Sequence, residues 1–167
     1  MSAAAEPLAV LELDDLELVL RRATIDDVPA VVALIAGGQI AGIRDGIDND
    51  GDLAQYQAAY RSIDVDPAHL LLVAESAGRI LGTLQLSLLP GLARRGSVRG
   101  QLEAVHVEES SRGRGIGSAM LDWAIQECRR RGASLVQLTT SKSRVDAHRL
   151  YAKLGFTASP EGMKLPL

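Results

Sequence analysis

The stretch from Arg112 to Ser118 has the residue types that bind a phosphate group. It reads RGRGIGS and opens a segment whose apolar residues recur at helical spacing: Ile116, Ala119, Met120, Trp123 and Ala124. The first N–H groups of a helix lack partners within the helix and lie at the positive end of its dipole. Glycine lets a ligand approach that backbone, and Arg112 and Arg114 add permanent charge. We therefore predict a phosphate or diphosphate site at the start of this helix.

The spacing of the glycines argues against two common nucleotide-binding loops. A P-loop requires Gly-x-x-x-x-Gly-Lys-Ser/Thr, which this stretch lacks. The glycines read Gly113-x-Gly115-x-Gly117, and the third comes too early for the dinucleotide-binding pattern G-x-G-x-x-G. Taken alone, the stretch would be a tight turn with solvated arginines, so its interpretation depends on what surrounds it.

Two neighbouring motifs supply that context. A Glu-x-Val-x-Val strand, Glu103 to Val107, precedes the glycine-rich turn, and AHRLYAKLGF, residues 147–156, follows it. With Arg112–Gly117, which fits Arg/Gln-x-x-Gly-x-Gly/Ala, these motifs resemble the GNAT superfamily of acyl-CoA-dependent N-acyltransferases over roughly residues 17–167. The resemblance implies a mixed α/β fold, with a curved mixed β-sheet of about seven strands flanked by about four helices. It implies acetyl-CoA as co-substrate and an amine as acceptor.

The resemblance also assigns coenzyme-binding residues. The coenzyme diphosphate would lie against the glycine-rich turn, at Arg112, Gly113, Arg114, Gly115, Ile116, Gly117 and Ser118. Strand residues Val105, His106 and Val107 would lie along the pantetheine arm. The backbone groups of Val105 and Val107 would pair with it, and an N–H near Val107 would polarise the thioester carbonyl. The histidines and Cys128 form no metal-ligand pattern, so no metal is predicted.

Acetyl transfer to an amine also requires a base for the amine proton and an acid for the departing thiolate. Glu103 is the candidate base, although it could equally be the cross-strand partner of an arginine. Some family members have the acid two positions earlier, where this chain has Gln101. Tyr151 would be a core residue by periodicity, but the resemblance makes it the candidate acid. Arg144 replaces an asparagine common in the family, so any coenzyme contact of that amide is lost or replaced.

Composition limits the remaining choices. The chain has 167 residues, 47% hydrophobic content and a net charge of −3, which fits one globular domain and gives no sign of nucleic-acid binding. We expect no membrane span, because no run approaches the ~20 apolar residues that one needs. The single cysteine, Cys128, fits a reducing cytoplasm. Residues 1–16 are expected to be a poorly ordered extension, with a dimer contact through their leucines left open.

The predicted element order from residue 17 onward is β-α-α-β-β-β-α-β-α-β-β. The first strand is Glu17 to Ala23, and the last two form a hairpin, Phe156 to Ala158 and Met163 to Leu165. Strand alternation places Glu103 on one face with Val105 and Val107, and His106 on the opposite face. Acceptor specificity is assigned to the loops at 37–52 and 89–98, where Asp48-Asn49-Asp50-Gly51 fails the calcium-loop pattern. The acceptor could be a small molecule or a protein or peptide amine, and a non-catalytic coenzyme-binding module is the further alternative.

Overall fold

A single six-stranded sheet organises the part of the chain that this computed structural model describes, residues 5–38, 45–158 and 162–165. Its strands lie in chain order, and every neighbouring pair is antiparallel except the last, which is parallel. The strands are β1 (Pro7–Leu13), β2 (Leu16–Arg22), β3 (His69–Ser76), β4 (Arg79–Pro90), β5 (Val98–Val107) and β6 (Ala133–Leu138). The mixed α/β fold is therefore confirmed, with six strands among the described residues against about seven expected.

Five α-helical segments accompany the sheet in the described residues: α1 (Val28–Gly37), α2 (Asp50–Val65), α3 (Ala93–Gly96), α4 (Ile116–Arg130) and α5 (Val145–Lys153). The predicted element order contains four of them, α1, α2, α4 and α5, because their apolar residues recur with helical spacing. The addition, α3, is one turn in the predicted 89–98 loop, with Arg94 and Arg95 in the left-handed region. Asn49 caps α2 by accepting from the N–H of Asp52.

Two predictions about the chain ends were wrong. Pro7–Leu13 is an edge strand that pairs antiparallel with β2, whereas residues 1–16 were expected to be poorly ordered. The signal was the alternation of Ala9, Leu11 and Leu13, which pack against the core, with more exposed neighbours. The predicted terminal hairpin is also absent, because neither 156–158 nor 162–165 forms a strand. Its proposed turn, residues 159–161, lies outside the described residues.

Hydrophobic clusters cover both faces of the sheet. The larger cluster joins β2, β3, β4 and β5 to α4 and α5, through residues such as Leu72, Leu84, Met120 and Tyr151. The smaller cluster packs α1 and α2 on the opposite face, against Leu71 and Val73. Tyr60 lies in this second cluster and donates to the carbonyl of Ala23. The helices on both faces hold the central strands β4 and β5 in place.

A β-bulge at Ala104 changes the course of β5. Gln85 pairs with Glu103 and Thr83 pairs with His106, so one residue of β4 faces two of β5. Ala104 takes up the extra residue with φ 49°, in the left-handed region that an L-residue rarely adopts. Because side chains alternate along a strand, one inserted residue moves every later side chain to the opposite face.

Candidate active site

The site is built around an opening between β5 and β6. Their pairing ends at Leu102 and Leu138, although β5 continues to Val107. Beyond the bulge, the N–H of Glu108 donates to the carbonyl of Leu81 on the β4 side, at 2.8 Å. Since backbone groups alternate in direction, those of Val107 and Val105 point away from β4, into the opening. An extended ligand could pair there as an added strand.

The glycine-rich turn lies where β5 ends and α4 begins. Gly113 and Gly115 have φ 78° and 82°, which only glycine adopts readily, and Gly115 is the N-cap of α4. No side chain caps this helix, so its first N–H groups are left for an incoming anion. A Cβ at Gly113 would meet nothing within 4 Å. One at Gly117 would lie at ordinary contact distance, 3.5 Å from Leu150 and 3.6 Å from Val107, so the packing of α4 on α5 and β5 leaves room for a methyl group there.

Both arginines of the turn have acceptors within the chain. Arg114 forms an ion pair with Asp15 in the β1–β2 turn, Nη2 to Oδ2 at 2.8 Å and Nε to Oδ1 at 3.3 Å. Arg112 donates through Nε to the carbonyl of Val107 at 3.3 Å. The sequence gave no signal for the Asp15 contact, because the two residues are 99 positions apart.

Tyr151 projects from α5 into the larger core and is 7% exposed. Its ring meets Phe156 edge-on, with centroids 5.9 Å apart. Burial raises the pKa of the Tyr151 phenol, and the positive charge of Arg144 opposes that change. The phenol is therefore protonated at neutral pH and able to donate. Arg144 itself is the residue at the N-cap of α5.

The bulge reverses the predicted faces of the strand residues. Val105 and Val107 pack with Leu102 against the larger cluster, on the α4 side of the sheet. Glu103 and His106 point to the other side, so the prediction that His106 faces away from Glu103 was wrong, as was the shared face of Glu103 with the two valines. Glu103 is exposed, and its cross-strand neighbour is Gln85 rather than an arginine. Gln101, two positions earlier, accepts from the side-chain amide of Gln137 at 2.7 Å.

His106 is partly buried against the C-terminal end of α1, where a Cβ on Gly38 would collide with the imidazole. Burial lowers the pKa of His106, the positive charges of Arg144 and Arg112 lower it further, and Asp45 acts in the opposite direction. The imidazole is therefore neutral at physiological pH. From the sequence, His106 was assigned only to the coenzyme-binding strand, because no local sequence pattern indicates a β-bulge at an alanine.

Other groups named from the sequence lie apart from this site. Cys128 is fully buried on α4, and burial raises the pKa of its thiol to about 11, so it is a packing residue. Within the described ranges, no three His, Cys, Asp or Glu residues are grouped to hold a metal ion. None of the helices described is long and apolar enough to cross a bilayer.

An acidic cleft of about 710 Å³ lies at the start of α2. Its lining includes Asp45, Asp48, Asp52 and Tyr56, and Tyr56 donates to Asp45 at 3.0 Å. The cleft occupies the described part of the 37–52 segment to which the sequence assigned acceptor specificity. Residues 39–44 of that segment lie outside the described residues.

Comparison with known proteins places these features in a family. A family model described as "Acetyltransferase (GNAT) family" matches residues 31–156, which include both helices and the strand of the site. An aminoalkylphosphonate N-acetyltransferase of Salmonella typhimurium is 31% identical over 140 residues, 84% of this chain and 85% of that protein. A glucosamine 6-phosphate N-acetyltransferase of Trypanosoma brucei brucei is 34% identical over 93 residues, 56% of this chain and 61% of that protein.

Solved structures agree on the fold. A protein described as a transcriptional regulator from Bacillus halodurans superposes with a TM-score of 0.83 at 37% identity, covering 90% of this chain and 99% of that one. A predicted acetyltransferase from Clostridium acetobutylicum, whose structure is described as containing acetyl-CoA, superposes with a TM-score of 0.71 at 23% identity. It covers 89% of this chain and 96% of that chain. At that identity the second likeness concerns the fold alone.

Proposed function

Because this chain belongs to the GNAT acetyltransferase family, we propose that it transfers an acetyl group from acetyl-CoA to an amine of a small molecule, by direct attack in a ternary complex. The observation that carries this proposal is the open edge of β5 beside an uncapped, glycine-rich helix start. An extended pantetheine arm and a diphosphate need those two features side by side, one supplying strand-like backbone partners and the other unpaired N–H groups.

In this proposal, the free N–H groups at the start of α4 bind the coenzyme diphosphate, with Arg112 and Arg114 exchanging their internal acceptors for phosphate oxygens. The backbone of Val105 and Val107 pairs with the pantetheine arm. The residues His106, Gly113, Gly115, Ile116, Gly117 and Ser118 line the same path. An N–H near Val107 stabilises the negative charge that develops on the thioester oxygen.

The chemical step is a single displacement. The amine lone pair attacks the acetyl carbonyl carbon, the C–S bond breaks, and the coenzyme thiolate takes the proton of the Tyr151 hydroxyl. From the sequence, Glu103 is the candidate acceptor of the amine proton, directly or through water, and its exposure leaves it in contact with solvent. The buried, unreactive thiol of Cys128 argues against a covalent acetyl-enzyme.

The acceptor class rests on the relatives. Three curated relatives act on small molecules by name, the third being a mycothiol acetyltransferase from an Arthrobacter species that is 31% identical over 109 residues. We assign acceptor selection to the described parts of 37–52 and 89–98, of which the first forms the acidic cleft. The use of coenzyme A and the single buried cysteine support activity in the cytoplasm.

The test combines binding with turnover. Calorimetry with CoA measures association directly, and thiol release from acetyl-CoA is followed across a panel of 2-aminoethylphosphonate, glucosamine 6-phosphate, spermidine and a lysine peptide. We expect CoA binding, turnover with a small amine, and a fall of ~10²-fold or more in kcat for Tyr151→Phe, with CoA affinity unchanged. Phe156→Leu, which keeps the phenol, is the matched control. Absence of CoA binding refutes the proposal, and binding without turnover by any amine favours a non-catalytic module. Turnover only with the peptide moves the acceptor to the protein class.

A further inference from the structure

We propose that His106 is the group that takes the proton from the attacking amine, because the bulge at Ala104 places it on the Glu103 face of β5, beside the opening to β6. This inference rests on the proposed function. It moves the role of base from Glu103, the candidate from the sequence, to His106, which strand alternation had placed on the other face of the sheet.

His106 lies beside the opening between β5 and β6. His106 lies four residues beyond Leu102, the last residue of β5 that pairs with β6. It therefore belongs to the segment whose backbone borders the proposed pantetheine path, while its side chain reaches the opposite face from Val105 and Val107. An amine that approaches the thioester from that face would meet the imidazole before it could reach the α4 side.

His106 and Tyr151 are both influenced by Arg144. The positive charge of Arg144 acts on both groups: after burial, it is the next cause that lowers the pKa of His106, and it offsets part of the rise that burial causes in the pKa of Tyr151. The candidate acid projects from α5 into the larger cluster, and the imidazole projects from β5 toward the other face of the sheet. A proton acceptor on one side of the thioester and a donor on the other are the two groups that the displacement requires.

The imidazole of His106 is in the protonation state that a base requires. The charged groups that act on the imidazole come from three segments: Arg112 before α4, Arg144 at the start of α5, and Asp45 before α2. The α1 helix, which packs against it, carries no ionisable side chain in residues 28–37. Burial and the two arginines dominate, so the ring is neutral and has a free lone pair at neutral pH. Diphosphate bound at Arg112 would neutralise one of these charges and bring the pKa of His106 back toward its ordinary value.

The step balances without another reactant. The acceptor reacts as the neutral amine, after its ammonium form has released one proton to solvent. As its nitrogen forms the C–N bond and the C–S bond breaks, the imidazole takes the proton that this nitrogen loses to become an amide. The imidazolium returns its proton to solvent, directly or past the exposed Glu103, before the next turnover. Tyr151 regains the proton it gave to the thiolate in the same way.

Kinetics on the best amine of the panel separate His106 from Glu103. We expect His106→Asn to lower kcat by ~10²-fold with KM for acetyl-CoA within about threefold, and to abolish the fall of kcat at acid pH. Glu103→Gln should retain that fall, and His69→Asn, at the far end of β3, should leave kcat unchanged. An acid limb that persists in His106→Asn, or that vanishes in Glu103→Gln, overturns the inference.

A second measurement uses the wild-type chain and covers the case in which His106→Asn does not fold. The imidazole resonance of His106, followed by NMR through a pH titration, should give a pKa below that of a free histidine and should move upward on addition of CoA. A pKa unaffected by CoA overturns the placement of His106 beside the coenzyme. If the wild type binds CoA but acetylates no amine, the proposed function fails. An active enzyme with an unchanged His106→Asn profile refutes only the present inference.

Discussion

Replacing Ala104 by valine tests whether the bulge in β5 positions the site. Ala104 holds φ 49°, a conformation that costs an L-residue about 1–2 kcal/mol and a β-branched residue more. Ala104→Val should therefore lower the free energy of unfolding by about 1–3 kcal/mol. The matched control is Ala104→Gly, which removes the strain but adds unfolded-state entropy worth about 0.5–1 kcal/mol. It should be neutral or stabilising by up to about 1 kcal/mol.

The functional consequence follows from the register. If valine expels the bulge, the side chains of Val105 and Val107 lose their places in the core and His106 turns toward α4. We then expect CoA affinity to fall more than tenfold in Ala104→Val and to stay unchanged in Ala104→Gly. Urea unfolding and calorimetry with CoA measure the two quantities. A valine variant with the wild-type urea midpoint and wild-type CoA affinity would falsify the reasoning.

Three further predictions concern residues around the site and the core. Asp15→Asn frees Arg114 from an exposed ion pair worth about 0.2–1 kcal/mol. CoA should therefore bind up to about fivefold more tightly at low salt, with Asp14→Asn as the control. Weaker binding would show that Asp15 instead holds Arg114 in its productive position. Cys128 should resist iodoacetamide until urea unfolds the chain, because its buried thiol has a pKa of about 11, and rapid labelling of the folded protein would contradict that burial. Burial raises the pKa of Asp27, but hydrogen bonds from Arg21 and Thr24 outweigh it and leave the pKa below its ordinary value. The resulting stabilisation is present above the pKa of Asp27 in the unfolded chain, about 4, and is lost as pH falls through its pKa in the folded protein. Asp27→Asn should therefore destabilise the protein at neutral pH and much less near pH 2. Urea midpoints at the two pH values measure this difference.

Local signals in the sequence located most of the elements correctly. Helical spacing of apolar residues identified α1, α2, α4 and α5. The glycine-rich turn was also visible, because Gly113 and Gly115 occupy backbone conformations that only glycine adopts readily. These features depend on interactions between residues close together in the chain, and such interactions leave a pattern in the sequence.

The faces of β5 and the partners of the arginines were decided only by the tertiary structure. The amino-acid sequence around Ala104 does not indicate a β-bulge, because the extra residue follows from the register between β4 and β5. That register sends His106 to the Glu103 face and the valines to the core. The pairing of Arg114 with Asp15 depends on an N-terminal strand that has stability only beside β2. The sequence alone indicated the protein family and the glycine-rich turn of the site, whereas long-range strand pairing determined which side chains lie together there.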